Sequence, residues 1–322
     1  VLTNFTFSSN YAYGDGGGMY SGGSYDPVLT NCIFWNDVAG DDGDEIYNAD
    51  SADPNISYCD IEGCGGSGGS WDPNFGSDDS GNIDSDPNFV SAYDSDGPDG
   101  LFGTSDDGLQ LQYLDLVSPC IDAADGDSAP SRDMTGRARS DVNSISDTGT
   151  GTPDHADMGA YESPMIWFVD EDATGSDNGL SWTNAYDDLQ DALSAADDGD
   201  EIWVAEGEYK PTSGSDRSIS FELVEGVGVY GGFAGTEDYR NQRDWTSNNT
   251  ILSGFIGYSQ NDSSYHVVKG ADNAVLDGFT VRSGNATNTY EDDAYGGGIC
   301  CYSTSPTIRN CAIFYNNAYH GG

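Results

Sequence analysis

Short runs in which apolar and polar residues alternate recur along this chain, each bounded by glycine or by Asn, Asp and Ser. Val1-Leu2-Thr3-Asn4 returns 27 residues later as Val28-Leu29-Thr30-Asn31; Phe5-Thr6-Phe7 follows the first copy and Cys32-Ile33-Phe34 the second. Far along the chain, Pro306-Thr307-Ile308-Arg309-Asn310-Cys311-Ala312-Ile313 matches the second copy, and Val275 to Val281 is a looser one. A period of two within each run predicts strands, and repetition of the run predicts a solenoid with one coil per repeat, an all-β parallel β-helix. Alternate positions share a face, which points Leu29 with Asn31, and Cys32 with Phe34, inward on either side of a bend. Stacked Asn side chains then satisfy backbone groups at that bend. Gly16-Gly17-Gly18 and Gly296-Gly297-Gly298 are expected at a second, tighter corner.

One segment breaks the pattern. Leu189, Ala192, Leu193 and Ala196 recur at i, i+3, i+4 and i+7, which predicts an amphipathic helix over 185–196, with Asn184 as N-cap and Gly199 beyond its end. Such a helix suits a cap on the open end of a solenoid.

The pairing of Gly-Gly-x-Ile/Met with Phe/Ile-x-x-Asn, as in Phe7-Ser8-Ser9-Asn10 and Ile313-Phe314-Tyr315-Asn316, resembles the repeats of polymorphic-outer-membrane-protein-type bacterial surface proteins. That resemblance implies a right-handed β-helix in a large secreted or surface protein, frequently without enzymatic activity. Ser118-Pro119-Cys120-Ile121-Asp122-Ala123 and Met158-Gly159-Ala160-Tyr161-Glu162 resemble the closing segment of a module in the same family. The chain is therefore divided into 1–163, the tail of one module rich in Asp and Gly loops, and 164–322, the head of the next with its strand and cap helix. Because both termini fall inside coils, the expectation is a repeat of a longer polymer or a subunit that stacks end to end. Val1, Leu2, Asn4 and Phe5 would form one assembly end, and Ile308, Asn310, Cys311 and Ile313 the other.

Charge narrows the partners. Lys and Arg total 10 against 56 Asp and Glu, for a net charge of −46. Such a surface repels nucleic acid and anionic membranes, and its self-repulsion calls for cations, with calcium the expected one. No apolar run approaches the roughly 18 residues that span a bilayer.

Candidate chemistry is sparse. Asp94, Asp96, Asp99, Asp106 and Asp107 place hard oxygen ligands on a Gly-rich stretch, which suits calcium, although the spacing is not that of an EF-hand and a solvated acidic loop is the alternative. Asp197, Asp198 and Asp200 repeat the idea weakly. Of seven cysteines, Cys59 and Cys64 could close a disulfide in a secreted protein, whereas Cys32 and Cys311 read as core filling. His155, His266 and His320 lack a catalytic partner at a telling spacing. Arg282 and Arg309 lie on strands near acidic residues, in no motif shared with the pectin-degrading β-helices, which use an Arg base with calcium. Tyr11, Tyr13, Tyr20, Tyr25 and Trp35 could stack on sugars or on one another. The reading is an extracellular or cell-surface structural protein that polymerises with itself, not an enzyme, with a polysaccharide lyase, hydrolase or glycan-binding adhesin as the alternative.

Overall fold

The computed structural model describes all residues of the chain except 24, 98, 99, 104–106, 115, 143, 144, 260, 261, 288–293 and 322. It is a parallel β-solenoid that divides into two compact units, Val1–Pro164 and Met165–Gly322.

In the first unit, Leu2–Thr3, Val28–Thr30, Asn55–Ser57 and Ser77–Asp78 form one parallel sheet, and Thr6–Ser8, Ile33–Trp35 and Asp60–Ile61 a second. Leu2 pairs with Leu29 and Leu29 with Ile56, so the sequence repeat is the coil itself. Inward residues follow a fixed spacing: Leu29, Cys32 and Phe34, then Ile56, Cys59 and Ile61, all buried in one core. The second inward residue falls three positions after the first because the chain turns between them. That turn is made by one residue at positive φ, Asn4 (56°), Asn31 (58°) and Tyr58 (49°) in successive coils. Asn tolerates this left-handed conformation better than other residues with a Cβ, which accounts for its recurrence there.

Asn31 corrects one expectation. It does not share the inward face of Leu29, because the left-handed turn swings its side chain outward. Its Oδ1 accepts from the Asp125 amide at 2.8 Å and its Nδ2 donates to the Asp125 carbonyl at 2.9 Å. The expected Asn stacking is present, since Asn31 Nδ2 also donates to Asn4 Oδ1 at 3.1 Å. The partner segment belongs to a second core, in which Ile33 on the outer face of its strand packs with Leu111, Cys120, Ile121, Ala123, Ala124 and Met158. The irregular chain after the coils thus flanks them, satisfied by backbone–backbone hydrogen bonds between distant segments and by side-chain hydrogen bonds to backbone.

The second unit starts with Ile166–Val169, continued in register by Glu201–Ala205, Gly228–Phe233, Val275–Asp277 and Thr307–Arg309. Its second sheet is Gly207–Tyr209, Thr250–Ser253, Phe279–Arg282 and Ala312–Phe314, and its third Phe221–Glu222, Val268–Lys269 and Ile299–Cys300. Leu276, Phe279 and Val281 repeat the inward spacing, with Gly278 at the positive-φ turn (88°). The first sheet is covered on both faces, which is why Glu201 to Ala205 is buried throughout. Ile202 and Val204 point into the core, and Trp203 stacks on Phe233 at 4.8 Å outside it.

The helix is shorter than the periodicity predicts. It spans Leu189–Ala195, and Asp188 is its N-cap, Oδ1 accepting from the Gln190 amide at 2.9 Å. Trp182–Asn184 is a separate 3-10 turn. Between them Tyr186 is extended, its amide donating to the Phe168 carbonyl at 2.9 Å, so the strand pairing excludes helix there. Leu189, Ala192 and Leu193 face the core against Val169, Ile202 and Phe221, where a cap belongs.

Candidate functional site

The coil spacing carries through to the outermost coils. Leu2, Phe5 and Phe7 occupy the positions of Leu29, Cys32 and Phe34 in the first coil. In the last coil Ile308, Cys311 and Ile313 occupy those of Leu276, Phe279 and Val281, with Asn310 at the left-handed turn (φ 52°). Among the described residues the strands Leu2–Thr3, Thr6–Ser8, Thr307–Arg309 and Ala312–Phe314 each pair on one side only. Consequently Phe5 and Ile313 are 48% and 47% exposed, although equivalent positions in interior coils are buried. Val1 is exposed as well, whereas Leu2, Ile308 and Cys311 are half-buried beneath their own sheets.

The last coil is held from below. The Asp277 carboxylate accepts from Arg309 Nε at 2.7 Å, from Asn310 Nδ2 at 2.9 Å and from Arg243 Nη2 at 2.7 Å. Burial pushes its pKa up, but Asn310, Arg243 and Arg309 outweigh that and hold it below the usual carboxylate value. Arg243 also donates to the Gly231 and Asp277 carbonyls and lies over the Tyr230 and Trp245 rings. Arg309 therefore orders an edge coil, and Arg282, paired with Glu208 at 2.8 Å, ties two strands of one sheet.

The glycine corner is also dictated by the stacking. Gly16 and Gly296 have φ of 73° and 57°, and a Cβ on Gly17 or Gly297 would lie 2.2 Å from the carbonyl oxygen of Asp44 or Asn317 in the next coil.

Only part of the expected calcium loop is described. Asp99 and Asp106 lie outside the described residues. Asp107 is buried as a structural acceptor, taking hydrogen bonds from Tyr161 Oη at 2.6 Å and the Gly103 amide at 2.7 Å. Asp94 is exposed and Asp96 half-buried, and among the described residues these three carboxylates do not converge. Asp200 likewise serves structure, accepting from Trp167 Nε1 and the Asp197 amide.

Cys59 and Cys64 are free thiols, not a disulfide. Cys59 takes the inward position above Cys32, whose amide donates to its sulfur at 3.3 Å, while Cys64 lies beyond the next left-handed corner and donates to the Ile83 carbonyl. His266 is buried, with Nδ1 3.0 Å from the Gly296 carbonyl, and His320 stacks on Tyr295. Tyr11 and Tyr13 meet edge to face at 5.1 Å, and Tyr20 lies 5.5 Å from Tyr47 in the next coil.

Sequence reasoning missed a buried acid pair. The Asp37 amide donates to Glu45 Oε1 at 3.1 Å, Asp37 Oδ1 accepts from the Asn10 amide and Nδ2, and Asp37 Oδ2 and Glu45 Oε2 are buried without a hydrogen-bond partner. Burial, then the Asp37 charge, pushes Glu45 up to about 9, so the pair holds a proton at neutral pH. The two lie on different stretches of one coil, and only their position beneath the Gly17-Gly18 corner brings them together.

Residues 173–321, most of the second unit, match a protein family described as "Protein of unknown function (DUF1565)". No curated protein and no solved structure matches the chain. Among the described residues, no helix is long and apolar enough to cross a membrane.

Proposed function

We propose that this chain is a non-enzymatic structural element of an extracellular or cell-surface fibre, in which the last coil of one copy seats the first coil of the next. The observation that carries this reading is the spacing shared by the Leu2–Phe7 coil and the Ile308–Ile313 coil, which fits one onto the other in the interior register. Extending the interior register across a junction sets Leu2 on Ile308, Phe7 on Ile313 and Ala12 on Ala318, as Leu29 sits on Leu2 and Ala318 on Ala286. It also continues a side-chain ladder: the Gly284 amide donates to Asn316 Oδ1 at 2.8 Å and the Asn10 amide to Asp37 Oδ1 at 2.7 Å, so the Asn316 amide would donate to Asn10 Oδ1 of the next copy.

Such a contact joins two different surfaces, and because it does not close on itself it builds a filament. Unpaired strand edges template it, and burial of the exposed apolar side chains drives it. The acidic surface opposes association at low salt, so calcium or salt should promote it.

Negative-stain electron microscopy of the purified chain, in calcium and in EDTA, tests the reading. Fibres are expected in calcium, with coils stacked about 4.8 Å apart along the axis. Ile313→Asp, which charges the exposed end without touching an interior coil, should leave a folded monomer and no fibres. Isolated particles of the wild-type chain in both conditions would sink self-stacking and redirect attention to turnover of acidic polysaccharides.

A further inference from the structure

Asp122 sits where the flanking segment of the first unit is most firmly packed. Its neighbours Cys120, Ile121, Ala123 and Ala124 are buried in the core that covers Ile33, which holds the backbone at Asp122 in place at φ 52°. The Asp122 amide donates to Asp157 Oδ1 at 2.9 Å, and its carbonyl accepts from the Thr148 and Gly149 amides at 2.8 and 2.9 Å. The backbone is thus fully engaged, while the side chain is not. Asp122 is 0% exposed, and beyond a weak approach of the Val142 amide neither carboxylate oxygen has a hydrogen-bond partner.

Two further carboxylates come to the same place. One oxygen each of Asp122, Asp141 and Asp147 lie within 4.8 Å of one another. Asp141 and Asp147 are exposed, and among the described residues no Lys or Arg pairs with any of the three. Arg139, two residues before Asp141, is buried and already bound to Glu162. An unpartnered buried carboxylate beneath two more acids is a costly arrangement unless a positive charge completes it.

We propose that Asp122, Asp141 and Asp147 form a calcium-binding site that clips the segment bearing Asp141 and Asp147 onto the packed Ile121–Ala124 backbone. Three oxygens within 4.8 Å of one another suit ligands about 2.4 Å from a common ion, the Ca–O distance, and an all-carboxylate set with two exposed members leaves room for the remaining water ligands. Zinc would favour nitrogen or sulfur, and magnesium demands a tighter octahedron. Asp177, Asp187 and Asp191 also converge but are all exposed, and the Asp187 amide already occupies Asp177 Oδ1, so that cluster serves as the control. Fibre formation is not needed for the test of this site.

The experiment is calcium titration of the full chain, stripped with EDTA and kept in physiological salt, by isothermal calorimetry and by thermal unfolding. One enthalpic site and a rise in the unfolding midpoint on adding calcium are expected for the wild-type chain. Asp122→Asn should remove both, and should unfold no earlier than the wild type in EDTA because Asn puts no ionisable group at the buried position. Asp141→Asn and Asp147→Asn change only exposed side chains and should fold normally while weakening calcium about tenfold or more. Asp177→Asn should bind as the wild type does. Calcium binding that survives intact in Asp122→Asn, that falls equally in Asp177→Asn, or that is absent from the wild type would overturn the assignment.

Discussion

Replacing Arg243 by Ala is expected to lower the stability of the second unit by about 3 kcal/mol, and to loosen its last coil in particular. The Arg243 side chain is 7% exposed and that of Asp277 1% exposed, so removing the guanidinium leaves a buried carboxylate with fewer donors, along with two buried carbonyls, those of Gly231 and Asp277, that lose their partner. Arg309 and Asn310 still reach Asp277 from above, which keeps the loss at the lower end of the range for breaking a buried pair. The stacking of the guanidinium on Tyr230 and Trp245 is lost as well. Urea unfolding measures the change, and hydrogen exchange of the amides from 307 to 314 reports whether the edge coil frays first. Lys269→Ala is the comparison, because the Lys269–Glu222 pair is solvent-exposed and its loss should cost less than about 1 kcal/mol. A similar loss in the two variants would show that Asp277 is not the tether described here. The result also bears on assembly, since a frayed last coil presents no register for the next copy.

The coils were legible in the sequence because stacking makes each one repeat the same physical demand. An apolar residue, a left-handed turn, and two more apolar residues give the recurring Leu-Thr-Asn-Cys-Ile-Phe type of run, and Asn stands at the turn for its conformation, not for an inward hydrogen bond. The helix was legible in its apolar stripe and not in its start, since Tyr186 belongs to a strand contact that no local signal announces. Least legible was the flank of the first unit. Its residues are positioned by hydrogen bonds between segments far apart in sequence, such as Asn4 Nδ2 to the Asp157 carbonyl, with little regular periodicity to betray them. For the same reason the convergence of Asp122, Asp141 and Asp147 was hidden: Asp141 and Asp147 look like every other Asp in a polar stretch until Asp122 is seen beside them.

Raising the pH from 5 to 9 is expected to destabilise the first unit, and Glu45→Gln should remove a large part of that loss. Glu45 titrates near 9 in the folded chain against about 4.5 when unfolded, and Asp37 beside it is raised as well, by burial above all. A folded-state pKa above the unfolded one means that the native state keeps a proton the unfolded state has released. The stability tied to that proton is therefore complete below about pH 4.5, declines as the pH rises, and is gone above about pH 9. Allowing for solvent screening of part of the displacement, the Glu45 share is roughly 3 kcal/mol across that window. Gln in its place offers an amide N–H to Asp37 Oδ2 at every pH and carries no charge to bury. Asp60, fully buried and raised to about 7 by that burial against the Cys120 thiol and the Ser85 amide, contributes a decline that ends earlier and is common to both proteins. The difference between wild type and Glu45→Gln isolates the pair: near zero at pH 4 to 5, it should grow in favour of the variant up to pH 9. Parallel pH curves for the two proteins, followed by thermal or urea unfolding in one buffer series, would show that the pair does not hold its proton in the folded chain.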